Sequence, residues 1–173
     1  LASLAFHSPV GFDDVHCEGL RNITADDIAA AKAAGCTIKL LGICERLVDE
    51  ETGDESISAR VYPALVPLSH PLATVSESFN AIFVIAEHAG RLMFYGNGAG
   101  GAPTASAVLG DVVAAARNVV HGGRAPGMST YANLPLADFG AVRTRYHVDM
   151  TVQDRPGVLA EVASTFAAHG VSI

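Results

Sequence analysis

Residues 37–48 and 56–66 are two long β-patterned runs separated only by a polar, glycine-containing turn at residues 49–54. Ile57, Ala59 and Val61 recur at every second position, the period of a strand with one covered face. Runs joined this closely have one economical arrangement, an antiparallel hairpin. The pattern returns at residues 81–87 and 91–95, around His88-Ala89-Gly90. Helical signals surround these pairs. Over residues 24–34, Thr24 is a side-chain cap, Asp26 and Asp27 suit the positive helix start, and Gly35 ends the run. A longer helix is predicted from Pro103 to about Val120, with Ala107, Val108, Val112 and Ala115 at helical spacing. Residues 1–6 read as the tail of a helix. The predicted fold class is α+β: a mixed or antiparallel sheet with helices on one face.

Residues 122–137 are rich in Gly, Pro, Ser and Asn, the composition of a linker. Beyond them the order is strand (143–152), turn (154–157) and amphipathic helix (158–169), with a further strand only beginning at residues 171–173. The expected division is a first domain over residues 1–121, a linker over 122–142 and a second module over 143–173. Both ends of the chain fall inside predicted elements, so the expectation is a piece of a longer protein.

With 50% hydrophobic residues and a net charge of −7, the 173-residue chain can bury a core. Its two lysines and nine arginines are scattered, which argues against a nucleic-acid surface. No apolar run is long enough for a helical membrane span. Cys17, Cys36 and Cys44 form no CxxC pair and suit a reducing, cytoplasmic setting. Nothing in the sequence sets a base beside them, and the seven histidines show no ligand spacing. No metal is therefore expected. Glu18 and Lys32 read as structural or solvated residues.

Two segments are candidates for chemistry. In Tyr95-Gly96-Asn97-Gly98-Ala99-Gly100-Gly101-Ala102-Pro103-Thr104, a glycine-rich bend feeds a helix start. Such a bend offers free backbone N–H groups and a positive dipole end to an anion or a polar ring. It reads equally well as a tight strand-to-helix turn. It is neither a Rossmann fingerprint nor a P-loop, because the spacing differs and no Gly-Lys-Ser/Thr follows. The second segment, Asp154-Arg155-Pro156-Gly157-Val158-Leu159, opens a helix and reads either as a turn with amides for a small ligand or as an ordinary connection.

Several ordered blocks carry a family resemblance. They are Leu1-Ala2-Ser3-Leu4-Ala5-Phe6-His7, Glu18-Gly19-Leu20, Gly35-Cys36-Thr37-Ile38-Lys39-Leu40-Leu41, Pro63-Ala64-Leu65-Val66-Pro67, Phe79-Asn80-Ala81 and, most specifically, residues 94–111. In this order they resemble bacterial homoserine dehydrogenases. Residues 146–173 resemble the start of an ACT domain, an amino-acid-sensing module of ferredoxin-like fold.

The resemblance implies NAD(P)-dependent interconversion of L-homoserine and L-aspartate 4-semialdehyde, on the route to threonine, methionine and isoleucine. It implies a homodimer or tetramer, with no nucleic acid or membrane as partner. It places Gly98, Ala99 and Gly100 beside the nicotinamide end of the cofactor. Asp154, Pro156 and Gly157 become candidates for effector binding. The proton-relay lysine and the substrate-binding acids are expected upstream of Leu1, so the piece alone is expected to be inactive. Two rival functions are an amino-acid-binding regulatory module and a purely structural dimerisation piece.

Overall fold

The computed structural model describes residues 1–123, 127 and 129–171. They fall into two units, Leu1–Val142 and Arg143–Ile173.

The first unit is built on β3 (Glu55–Pro67), which pairs antiparallel along its whole length with β2 (Cys36–Val48). The hairpin expected from the sequence is therefore present. Its turn is closed by Asp49, whose Oδ1 accepts from the N–H groups of Thr52 at 2.8 Å and Glu51 at 2.9 Å. These donors favour the ionised carboxylate and hold it below its ordinary value of 3.8, Thr52 contributing most. Because the folded value is the lower one, the turn gains stability above the ordinary value and loses it as pH falls through the folded one. An NMR titration of Asp49 is expected to show this depressed midpoint, and Thr52→Pro, which removes the stronger donor, to raise it.

The other edge of β3 is covered in pieces. The short strand β1 (His16–Cys17) pairs parallel at Arg60 and Val61. Further along, the Ile57 N–H donates to the Pro135 carbonyl and its own carbonyl accepts from the Ala137 N–H, both at 2.8 Å. Covering this edge satisfies backbone groups that would otherwise invite pairing with another chain. Ile57 is fully buried as a result, with Ala59 and Val66 also buried along the strand.

Half of the stretch expected to be a linker thus returns to the sheet. The Leu134 N–H donates to the fully buried Ser8 Oγ at 2.9 Å. The Ala132 N–H donates to the His7 carbonyl at 3.1 Å. Tyr131 stacks on His7, and Phe139 stacks on His16. Polar composition marked the segment as a loop but did not reveal these distant partners. Residues 124–126 and 128 of the expected linker lie outside the described residues.

On the opposite face of β3, Ser58, Arg60 and Tyr62 alternate with the apolar set. Arg60 is buried, and its guanidinium donates to Ser58 Oγ, Tyr62 Oη and Glu45 Oε2. Burial opposes its charge, yet the hydrogen bonds it donates to Tyr62 and Glu45 outweigh that and hold it above its ordinary value. The cluster is satisfied within itself, so it reads as structure rather than as a site.

Two helices flank this sheet: α1 (Ala2–Phe6) and α2 (Ala25–Ala33). Thr24 caps α2 as expected, with Asp27 completing a reciprocal capping box through the Thr24 N–H at 2.7 Å.

A second sheet consists of β4 (Phe79–Ala86) and β5 (Gly90–Asn97), paired antiparallel from Phe79↔Asn97 to Ala86↔Gly90. The α+β class holds, but the single sheet expected from the sequence is divided in two. Strand periodicity specifies a covered face and not which sheet a strand joins. The long helix α3 (Gly101–His121) follows β5 after the bend. None of its residues is buried, and Val108, Leu109, Val112 and Val113 are exposed.

The second unit holds α4 (Val158–Ala168), close to the predicted helix. Residues 143–152, expected as a strand, form none. Alternating residues make a strand only against a hydrogen-bonding partner, and this unit supplies none among its described residues. Ser172 and Ile173, where a further strand was expected to begin, lie outside the described residues.

Candidate functional site

The glycine bend is positioned by the β4–β5 register. Asn80 lies opposite Gly96 and Phe79 opposite Asn97, so β5 delivers residue 98 to the end of the sheet. There the Gly98 N–H donates to the Ser78 carbonyl at 2.7 Å, which fixes the first corner. The second corner is Gly100, the N-cap of α3, at φ +125°. Residues with a Cβ are strained at that angle, and a Cβ here would also meet Pro103 Cδ at 3.3 Å. Every residue of the bend from Gly96 to Gly101 is exposed.

Gly98, Ala99 and Gly100 are therefore brought together on one open bend. The amides of Ala99 and Gly100 have no hydrogen-bond partner among the described residues. The first amides of a helix likewise lack intrahelical acceptors and carry partial positive charge. A nicotinamide cofactor fits what is present: open backbone donors and glycines where a Cβ is excluded.

The structure adds a residue the sequence reading did not single out. A Cβ placed on Gly98 would overlap the Asn80 carboxamide, with Oδ1 at 2.8 Å. The bare face of Gly98 is thus occupied by a side chain of this chain, and the bend presents an amide there rather than naked backbone. Asn80 also lines a shallow depression of about 270 Å³ with Ile82, Phe94 and Gly96. Phe79-Asn80-Ala81 was legible as a family block, but only the strand register puts Asn80 against Gly98.

In the second unit, Asp154, Pro156 and Gly157 sit on the exposed turn before α4, with Gly157 as its N-cap at φ +91°. A groove of about 500 Å³ runs beside this turn, lined by Met150, Val152, Arg155, Val158, Val162 and Phe166 among others. None of the three expected residues lines it. Arg155 is instead paired with Glu161 at 2.8 Å.

Glu18 donates its N–H to the Val61 carbonyl at 2.7 Å and extends the β1 pairing, while Lys32 is exposed on α2. Burial pushes the Cys44 thiol above its ordinary value of 9.0, so it stays protonated at neutral pH. Among the described residues no group of His, Cys, Asp or Glu is placed to hold a metal ion, and no helix is long and apolar enough to cross a membrane.

The first unit is thus an α+β unit that carries an open glycine bend to a helix start, and a separate small unit follows it in the chain. The homoserine dehydrogenase family model matches residues 1–113, and the ACT domain model matches residues 146–173. The homoserine dehydrogenase of Corynebacterium glutamicum is 70% identical over all 173 residues, and that of Mycobacterium tuberculosis 62% identical. The chain spans 39% of the length of each. The crystal structure of a homoserine dehydrogenase from Thiobacillus denitrificans matches with a TM-score of 0.79 at 32% identity, over 96% of this chain and 38% of that one. This chain belongs to the homoserine dehydrogenase family, and its C-terminal part carries an ACT domain match.

Proposed function

We propose that the chain is part of an NAD(P)-dependent homoserine dehydrogenase that interconverts L-homoserine and L-aspartate 4-semialdehyde in the biosynthesis of threonine, methionine and isoleucine. The observation that carries this reading is the open bend at Gly98, Ala99 and Gly100, in a chain 70% identical to a homoserine dehydrogenase. When bound, the cofactor supplies the hydride acceptor or donor. The bend's amides bind and orient its ring end, and holding the ring in reacting geometry is a large part of what a dehydrogenase does. The proton acceptor and most of the dinucleotide site belong, in this reading, to other parts of the enzyme.

The domain division at 1–121, 122–142 and 143–173 belongs to the same reading, as do a cytoplasmic location and a homodimer or tetramer. The exposed apolar residues of β4, β5 and α3 favour assembly, because surfaces of this kind are normally covered. Asp154, Pro156 and Gly157 are the effector candidates on the ACT side, with their exposed helix-start turn as the supporting feature.

The test is an assay of the whole enzyme carrying this chain, following NAD(P)H consumption by its absorbance with L-aspartate 4-semialdehyde. Substrate-dependent turnover is expected. A folded enzyme that binds threonine yet turns over nothing would favour a regulatory amino-acid-binding module instead.

A further inference from the structure

We infer that Asn80 is a cofactor-contacting residue, its carboxamide being the group that meets the carboxamide of the nicotinamide ring. The inference rests on the proposed reading of the bend as a cofactor wall and names the side chain through which that wall recognises its ligand.

Three observations converge on it. First, the Asn80 carboxamide lies across the face of Gly98, so a ring approaching that corner meets the amide. Second, the carboxamide has no hydrogen-bond partner among the described residues, leaving both donors and its acceptor oxygen available. Third, Gly96 stands opposite Asn80 in the ladder and has nothing within 4 Å of where its Cβ would be. That gap, beside the exposed Phe94, opens the depression on the Asn80 side of the hairpin. A flat polar ring suits such a place: an aromatic edge, bare backbone and a primary amide. Two primary amides pair well, because each offers one donor and one acceptor in the same plane.

The experiment uses the whole enzyme and reads binding rather than turnover. Dissociation constants for NAD(P)H and for its reduced 3-acetylpyridine analogue, which has an acetyl group in place of the ring carboxamide, are measured by calorimetric titration. The wild type is expected to prefer the natural cofactor by about tenfold, the size of one well-placed hydrogen-bonding group. Asn80→Ala is expected to remove most of that preference, because the natural cofactor loses a donor and an acceptor contact while the analogue loses only the contact to its carbonyl. Asn80→Leu keeps the bulk over Gly98 and loses both donor and acceptor; it gives the same reading if the alanine variant does not fold.

A preference ratio unchanged from wild type in the folded variant overturns the assignment. Gly98→Val separates this failure from a failure of the underlying reading. If Gly98→Val weakens both ligands while the Asn80 variants leave the ratio intact, the wall stands and Asn80 is not its contact. If Gly98→Val alters neither constant, the wall reading falls and Asn80 falls with it.

Discussion

Gly98→Val in the whole enzyme is expected to lower kcat/KM for the nicotinamide cofactor by about tenfold to a hundredfold, a loss of roughly 1.4–2.7 kcal/mol in transition-state stabilisation. A Cβ at residue 98 cannot coexist with the Asn80 carboxamide in its present position. Valine adds two further methyl groups and a stiff χ1 at a corner pinned by the Gly98–Ser78 hydrogen bond. Either Asn80 is pushed out over the depression, into the space proposed for the ring, or the bend shifts and moves the amides of Ala99 and Gly100. A displacement of about 1 Å is enough for an effect of this size when a ring must be held in reacting geometry. KM for the cofactor should carry most of the change. Kinetics equal to wild type would leave the bend as a strand-to-helix turn and return the domain to a structural, dimerising role.

The second large effect is on stability. Ile57→Ala is expected to cost about 2–5 kcal/mol, read as a shift of the denaturation midpoint, with Ile57→Val costing about 0.5–1.5 kcal/mol. Ile57 has no exposed surface and sits where three segments meet: β3 itself, β2 through Arg46, and residues 135–137. Its N–H and its carbonyl both bond to residues 135–137, which holds the frame in place, so the surroundings cannot readily collapse into the cavity. A cost below about 1 kcal/mol would mean that residues 135–137 do not close over this side chain. Because the same residues lead toward the second unit, loosening them is also expected to increase proteolytic cleavage between residues 131 and 142.

Much of the local structure is legible in the sequence. The β2–β3 and β4–β5 pairs announce themselves by alternation and short polar turns, and α2 by Thr24 and its acidic first turn. The glycine-rich bend is visible as a strand-to-helix junction, and Gly98, Ala99 and Gly100 stand out within it through the family resemblance. The strand expected at residues 143–152 shows the opposite case: alternation was present, but a strand exists only in a ladder. Composition likewise did not reveal the contacts of residues 131–142, whose anchors Ser8, His16 and Ile57 are far away in sequence.

The sequence by itself determined most of the elements, the family and the place of the glycine bend, because periodicity, capping and turn chemistry act over a few residues. Only the tertiary structure decided that β3 is closed by two distant short segments, that the sheet is divided, and that Asn80 fills the space Gly98 leaves vacant. Those depend on which chain segments meet across many residues, through register and packing that no local pattern encodes.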